Sequence, residues 1–266
     1  MCANATTAKS RPSSNNGRLL PEALRYHTMK TLFLLLLGLV AATSAPIVAL
    51  SAPQLTAPQK VTVVYEATRD GKPFAKVNET FSRDGSHYRI ESVTSGIGVY
   101  ALLGKRHLTS DGEVTAHGLK PHHFELQQGD NSKKKVTADF DWEGGKLTMT
   151  VKSKANTVDL EPETQDLASF PYQFMFQPPA ADEIVMPVTT GKRVRTYRYQ
   201  VTRPEDKLDV LGGLKVIKLA NAGKDEGDDD KEFWLAVDKH FVPARIVLRD
   251  DNGARIEQVL TSLSIE

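Results

Sequence analysis

The chain has 266 residues, a net charge of +1 and a single cysteine, Cys2. Five of its 34 basic and one of its 33 acidic residues precede residue 52, so the remainder is slightly acidic, with 29 basic and 32 acidic residues. That balance argues against a nucleic-acid binder, which needs a basic face to neutralise phosphates. Without cysteine, the part beyond Cys2 has no disulfide, thiolate nucleophile or cysteine metal site.

A secretory signal peptide is predicted over residues 29–51. Met29 and Lys30 precede an apolar run from Leu32 to Ala42, and small residues follow, which is the order of n-region, h-region and cleavage zone. The run is shorter than the about 20 residues that a membrane span needs. We therefore expect cleavage, a periplasmic protein and no transmembrane segment after cleavage. Residues 1–28 are polar and patternless, which indicates a disordered tail or a mis-assigned start that truly lies at Met29.

Residues 52–266 are predicted to form a single β-rich domain. Apolar and polar residues alternate along most of it, as at Val61, Val63 and Tyr65, and period two is typical of half-buried strands. Turn signals recur at intervals of about 8–12 residues. They include Asp70-Gly71, Asp84-Gly85, Gly144-Gly145 and Asn252-Gly253. About a dozen strands at this spacing predict a mostly β fold, a large antiparallel sheet curled into a barrel or half-barrel.

Two segments interrupt the alternation and predict one or two short helices. Ser95–Lys105 is small and apolar and fits a short helix or a loop across the sheet. Thr164–Gln177 has roughly helical spacing, with Asp166 as its predicted N-cap. Because proline inside a helix costs about 3 kcal/mol, this helix should end before Pro171 or begin near it. Residues 178–187 are predicted to form a loop.

A helix across the open face of a half-barrel would cover a concave apolar surface. Aromatic residues there and on the sheet are candidates for lining a ligand cavity: Phe170, Tyr172, Phe174, Phe176 and Trp142. The alternative is that these side chains fill the core, as they usually do in small barrels.

Four segments stand in an informative order and spacing: GLKPHHFE (Gly118–Glu125), ADFDW (Ala138–Trp142), TQDLASFPYQF (Thr164–Phe174) and FWLAVDKHFVPARIVL (Phe233–Leu248). Together they resemble an exported bacterial domain of unknown function, the family numbered 3108, over nearly all of residues 60–266. The resemblance brings no established activity. Some members look similar in architecture to the lipoprotein carriers LolA and LolB, which are curled antiparallel sheets that hold acyl chains. That similarity is an analogy of fold, and fold does not determine function.

No catalytic residue, metal or cofactor is predicted. His122 and His123 are adjacent, so on a strand they face opposite sides, and no histidine pair has the i, i+4 spacing of a zinc enzyme. No serine lies in a nucleophile elbow. A meeting of His117, His122 and Asp139 in space would be coincidental. The acidic segment Lys224–Glu232 offers oxygen ligands for calcium, but a solvated hairpin tip explains it more simply.

The sequence thus predicts a secreted, non-enzymatic module that binds or carries an apolar or envelope-derived ligand, with a lipid or acyl chain as the ligand class. The alternative is a structural or protein-interaction component of the cell envelope, with an envelope protein as its partner. A cavity lined by aromatic residues of Phe170–Phe176 would favour the first hypothesis. A solid interior and a surface patch would favour the second.

Overall fold

The computed structural model of the protein describes residues 57–129, 135–203, 207–222, 231–250 and 252–266. The tail predicted at 1–28 and the signal peptide predicted at 29–51 lie outside these ranges. Most of the acidic segment Lys224–Glu232 does so too. The tail, the signal peptide and the hairpin tip at Lys224–Glu232 therefore remain predictions.

Sixteen strands form within the described residues. The first eight are β1 (Lys60–Arg69), β2 (Lys72–Asp84), β3 (His87–Gly96), β4 (Arg106–Thr115), β5 (Gly118–Gln128), β6 (Val136–Asp141), β7 (Lys146–Val151) and β8 (Lys154–Asp159). The others are β9 (Gln165–Asp166), β10 (Glu183–Thr189), β11 (Val194–Thr202), β12 (Lys207–Leu208), β13 (Leu214–Asn221), β14 (Glu232–Ala236), β15 (Val242–Arg249) and β16 (Arg255–Ile265). Helix α1 spans Ser169–Gln173, and 3-10 helices span Gly98–Leu103 and Val237–Lys239.

Nearly all neighbouring strands of the sheet are consecutive in the chain. The order is β8-β7-β6-β5-β4-β3-β2-β1-β16-β15-β14-β13-β11-β10-β9, with β12 beside β13. The pairs are antiparallel except for β9 and β10. Strands β8 and β9 end the order, and no pairing joins them among the described strands, so the sheet is open. The predicted mostly β fold with a large antiparallel sheet is confirmed.

Strand β1 lies at the centre of the sheet, between β2 and β16. Val61, Val63 and Tyr65 are fully buried, as their alternation predicts. The turn that follows has positive φ at both Asp70 (48°) and Gly71 (79°). A two-residue hairpin turn of this kind requires such angles, and Asp-Gly adopts them at little cost. The turn predicted at Asp70-Gly71 is therefore confirmed, and it joins β1 and β2 as a hairpin.

The sheet curls, so that strands far apart in its order come into contact. The Thr189 hydroxyl on β10 donates to Met149 Sδ on β7 at 3.4 Å. Gly191, just beyond β10, has a φ of +75°, and a Cβ there would lie 2.6 Å from Val136 Cγ1 and 3.2 Å from Phe124 Cε1. Two apolar clusters form within the curl. One draws mainly on β1–β7, and the other on β10, β11 and β13–β15 with α1.

Helix α1 begins later than its predicted N-cap implies. Pro171 is its third residue, a position where the missing N–H removes no intrahelical hydrogen bond. The N-cap is Ala168, so the prediction of Asp166 as the N-cap residue is wrong. The Asp166 carboxylate nevertheless accepts hydrogen bonds from the N–H groups of Ala168 and Ser169, both at 2.8 Å. Asp166 therefore accepts hydrogen bonds from backbone N–H groups at the start of the helix from a position two residues before the N-cap.

Strand β10 occupies the second half of the predicted loop at 178–187, so that prediction is wrong for residues 183–187. Its antiparallel partner is β11 along its whole length, but β9 pairs with it only at Val188 and Thr189. At Pro187 one side of β10 therefore has no strand partner, and proline is tolerated at such an edge.

Candidate functional site

The concave face of the sheet holds a partly open cavity of about 570 Å³. Strands β2–β5 line one side, strands β10, β11 and β14–β16 line the other, and the segment around the start of α1 lies between them. Most of the lining is apolar and includes Val77, Ile90, Leu108, Phe170, Val188 and Phe233. The volume falls in the range of small-molecule sites, about 300–1,000 Å³.

A second cavity of about 420 Å³ adjoins the first. Thr94 and Arg106, which are paired across β3 and β4, line both. The far end of the second cavity is lined by Tyr100 and Leu103 from the 3-10 helix Gly98–Leu103. Of the two structures that the sequence allows for Ser95–Lys105, the short helix is therefore the one that forms.

Phe170 lines the larger cavity, and Phe174 lies behind it. Phe170 stacks on Tyr199 with ring centroids 5.4 Å apart and meets Phe233 edge-on at 5.3 Å. Phe174 is only 2 % exposed and packs edge-on against Phe170 at 5.4 Å, in the apolar cluster of β10, β11 and β13–β15. Of these two candidates, Phe170 is therefore the one placed to touch a ligand.

The other three aromatic candidates lie outside the cavity lining. Tyr172 and Phe176 both pack on Phe81, with centroid distances of 5.9 and 5.7 Å. Trp142 stacks on Phe140 at 5.9 Å, and its indole N–H donates to the Pro121 carbonyl at 2.7 Å. The structure thus places Tyr172 in the apolar cluster of β1–β7, and Phe176 and Trp142 are partly buried side chains packed against that cluster.

Two charged residues that the sequence prediction omits, Glu79 and Arg106, line the larger cavity. The Glu79 carboxylate accepts hydrogen bonds from the Ser92 hydroxyl at 2.8 Å and from the Tyr172 hydroxyl at 3.0 Å. Burial raises the pKa of Glu79, although these two hydrogen bonds and the charge of Arg106 act in the opposite direction. Burial also lowers the pKa of the Arg106 guanidinium.

The alternation of buried and exposed residues along β2 and β4 indicates that Glu79 and Arg106 face the interior. Glu79 has the same parity along β2 as Val77 and Phe81, which are buried. Arg106 has the same parity along β4 as Leu108, which is also buried. An ionisable residue at an inward position of an apolar alternation is therefore the pattern that would have identified them.

The charged lining of the larger cavity is predominantly basic. Its acidic members are Glu79 and Asp250, and Asp250 already forms an ion pair with Arg69 at 2.7 Å. Its basic members among the described residues are Arg106, Lys192, Arg193, Lys231 and Arg249. An apolar interior with a basic lining suits an amphiphile better than a purely hydrocarbon ligand.

Asp166 fixes the cavity wall that leads into α1. Besides the two backbone N–H groups, its carboxylate accepts a hydrogen bond from the Ser110 hydroxyl at 2.6 Å. The Tyr88 hydroxyl lies 3.1 Å from Ser110 Oγ. Burial raises the pKa of Asp166 to about 6, against the effect of these hydrogen bonds. These hydrogen bonds give Asp166 a structural role, because they hold the start of α1 against β4.

Two glutamines join the same wall to the start of β5. Gln173 accepts a hydrogen bond from the Leu119 N–H at 2.6 Å and donates to the His117 carbonyl at 2.9 Å. Gln165 donates to the Leu119 carbonyl at 2.8 Å. The motifs TQDLASFPYQF and GLKPHHFE, which are far apart in the sequence, are therefore joined by hydrogen bonds.

The histidines of β5 lie apart from the cavity lining. His123 Nδ1 lies 2.7 Å from Asp139 Oδ1, whereas His122 lies 3.8 Å from Glu113. The partner of Asp139 is therefore His123, not His117 or His122. Among the described residues, no three potential metal ligands of the His, Cys, Asp and Glu types cluster.

Solved structures that match the chain over most of its length include the following three. A beta-barrel-like protein of domain of unknown function DUF1849 from Brucella abortus has a TM-score of 0.51 at 16 % identity, covering 79 % of this chain and 99 % of that chain. An outer membrane lipoprotein-sorting protein domain from Vibrio parahaemolyticus has a TM-score of 0.25 at 8 % identity, covering 78 % and 85 %. A DUF1329 family protein from Desulfovibrio piger has a TM-score of 0.20 at 10 % identity, covering 79 % and 86 %. The first similarity shows a shared fold, and the other two are too weak to support an argument.

No helix in the described ranges is long and apolar enough to span a membrane. No curated protein matches the chain. The family model described as protein of unknown function (DUF3108) matches residues 61–261, in agreement with the resemblance drawn from the four segments. The chain therefore belongs to the DUF3108 family.

Proposed function

We propose that the protein is a non-enzymatic module that binds or carries an apolar ligand, such as a lipid or an acyl chain, in the periplasm. The observation that carries this proposal is the cavity of about 570 Å³ with mainly apolar walls. A concave apolar pocket with a few placed polar groups is the usual form of a small-molecule site. The alternative, a structural or protein-interaction component of the envelope, would leave this cavity without a ligand.

A cavity-filling substitution tests the binding function. Thr94 lines both cavities, so the phenyl group in Thr94→Phe would occupy their junction. The matched control is Val93→Phe, because Val93 has the opposite parity on β3 and lies outside both linings. Displacement of a fluorescent fatty-acid probe would give the affinities, and thermal unfolding would verify the fold.

The proposal predicts that the wild-type protein and Val93→Phe bind the probe, and that Thr94→Phe binds at least about tenfold more weakly, which corresponds to about 1.4 kcal/mol. Equal binding by all three folded proteins would place the probe outside the cavity. No binding of fatty acid, fatty alcohol or phospholipid by the wild-type protein would instead favour the envelope-component alternative.

The periplasmic location is supported by the signal peptide predicted at 29–51. Cell fractionation followed by N-terminal sequencing tests it. We expect a periplasmic protein that begins at Ala52, the residue after the predicted cleavage site. A protein that retains Met1 or Met29 would contradict export with cleavage.

A further inference from the structure

We infer that the ligand has an anionic group on an apolar chain, and that the Arg106 guanidinium binds this group where the two cavities meet. This inference rests on the proposed function, since it specifies the ligand class of the same site. The shared chemistry is a carboxylate or a phosphate at the end of a hydrocarbon chain.

Arg106 is a half-buried cation that has no bonded partner in the part of the chain that the structure describes. Its side chain lines both cavities, and among the described residues its guanidinium has no hydrogen bond and no ion pair. A charge removed from water without a partner is costly. Binding an anion would offset that cost, and the planar guanidinium can bind a carboxylate or phosphate through two parallel hydrogen bonds.

Glu79 does not serve as that partner. Its charge favours the protonated guanidinium of Arg106, but the two groups form no ion pair, and the Glu79 oxygens accept hydrogen bonds from Ser92 and Tyr172 instead. The donors of Arg106 are therefore left for a ligand.

The other charged residues that line the larger cavity also favour an anionic ligand. Lys192 and Arg193 are exposed basic residues of the larger cavity, and Lys231 lies over the Tyr197 ring at 5.2 Å in the same lining. Asp250 is paired with Arg69. A positive potential concentrates anionic ligands and speeds their association. Arg106 provides the contact inside the cavity, and the outer cations provide the attraction.

Thr94 lies directly opposite Arg106 on the neighbouring strand. Thr94 lines the same junction of the cavities as Arg106. The Thr94 hydroxyl can therefore donate a hydrogen bond to an anion that the Arg106 guanidinium binds. The hydrocarbon chain would then extend along Val77, Leu108 and Phe170 in the larger cavity.

Three ligands with the same chain and different head groups test the inference: dodecanoate, dodecyl phosphate and dodecanol. Their affinities for the mature protein would be measured by displacement of a neutral fluorescent probe. The variant is Arg106→Gln, and its control is Lys105→Gln, because Lys105 is the exposed neighbour and lies outside both linings. Thermal unfolding of each variant would verify the fold.

The wild-type protein and Lys105→Gln should bind at least one of the anions about tenfold or more tightly than dodecanol, as expected for a charge-assisted contact. Arg106→Gln should lose that preference and keep its affinity for dodecanol. The stronger anion in the wild-type protein would distinguish a carboxylate from a phosphate ligand. If Arg106→Gln does not fold, Arg106→Lys replaces it, and it should retain only part of the preference because it lacks the planar fork.

Equal binding of all three ligands by the wild-type protein would overturn the anionic ligand class and leave the proposed function intact. A preference for anions that survives in folded Arg106→Gln would overturn the role of Arg106. Absence of binding for all three ligands would count against the proposed function itself.

Discussion

The Ser110 hydroxyl donates a hydrogen bond of 2.6 Å to the Asp166 carboxylate, and both side chains are fully buried. This contact joins β4 to the segment that leads into α1. The same segment contributes Leu167 and Phe170 to the cavity lining. A buried, ionisable group therefore attaches one wall of the cavity to the sheet.

Asp166 should make the stability of the protein decrease as the pH rises from about 4 to about 6. Its pKa is about 6 in the folded protein against an ordinary value of 3.8, so the folded state binds the proton more tightly than the unfolded chain does. The stabilisation is complete below pH 4 and is lost as the pH rises through 6. One pKa unit corresponds to about 1.4 kcal/mol, which gives a loss of about 3 kcal/mol.

Asp166→Asn should remove this pH dependence, because an amide accepts the same backbone hydrogen bonds and does not titrate in this range. Urea unfolding of both proteins between pH 4 and pH 7 would measure it. The difference in their free energies of unfolding should change by about 3 kcal/mol over that range. A constant difference would mean that Asp166 titrates at its ordinary pKa.

Gln173→Ala should lower the free energy of unfolding by about 1–3 kcal/mol, because it leaves the buried Leu119 N–H without its acceptor. Gln177 is the matched control, since it also donates to a backbone carbonyl, that of Ala116, but is exposed. Gln177→Ala should cost less than about 0.5 kcal/mol. Chemical denaturation of both variants measures the two costs, and equal costs would show that the Gln173 hydrogen bonds do not hold the wall.

Gly118→Ala should destabilise the protein more than Gly85→Ala does. Both glycines have positive φ, +90° and +58°. An alanine at either position would therefore adopt an unfavourable backbone conformation, which lowers the free energy of unfolding by about 1–2 kcal/mol. A Cβ at Gly118 would also collide with Gln173 Oε1, whereas Gly85 has open space around it. Thermal unfolding should show the larger loss for Gly118→Ala, by about 1–3 kcal/mol when the Gln173 contact is displaced. A smaller loss at position 118 would contradict the close contact.

Phe174→Asp should prevent folding, because Phe174 is 2 % exposed and lies behind the cavity wall. A buried unpaired carboxylate costs a large part of a total stability of about 5–15 kcal/mol. Phe170→Leu should stay folded, at a cost of about 0.5–3 kcal/mol, and should weaken probe binding because Phe170 lines the cavity. Circular dichroism and probe displacement would separate the two effects. A folded Phe174→Asp protein with normal binding would contradict the assignment of Phe174 to the core.

The strands that the sequence predicts are those with one buried face. Along β1, Val61, Val63 and Tyr65 alternate and are buried. Strand β8 (Lys154–Asp159) has no such pattern, because nearly all of its residues are exposed at the end of the sheet order. Strand β9 has two residues and depends on pairing with β10, a contact between separate segments. The local alternation of apolar and polar residues therefore cannot predict strands such as β8 and β9.

The sequence identifies only part of the candidate site. Phe170 is a candidate on its aromatic character alone, and the parity of Glu79 and Arg106 marks them as inward-facing. Alternation does not show that strands β2–β5 stand far enough from β10, β11 and β14–β16 to leave a cavity between them. The contact of Asp166 with Ser110 spans 56 residues, so a helix cap was the natural interpretation of Asp166 from local sequence.

Native mass spectrometry of the mature protein purified from the periplasm, followed by organic extraction, tests most directly whether the cavity holds an apolar ligand. We expect a bound mass that extracts as lipid from the wild-type protein and is absent from Thr94→Phe. A ligand-free mass for the wild-type protein, without uptake of added fatty acid or phospholipid, would contradict the binding function.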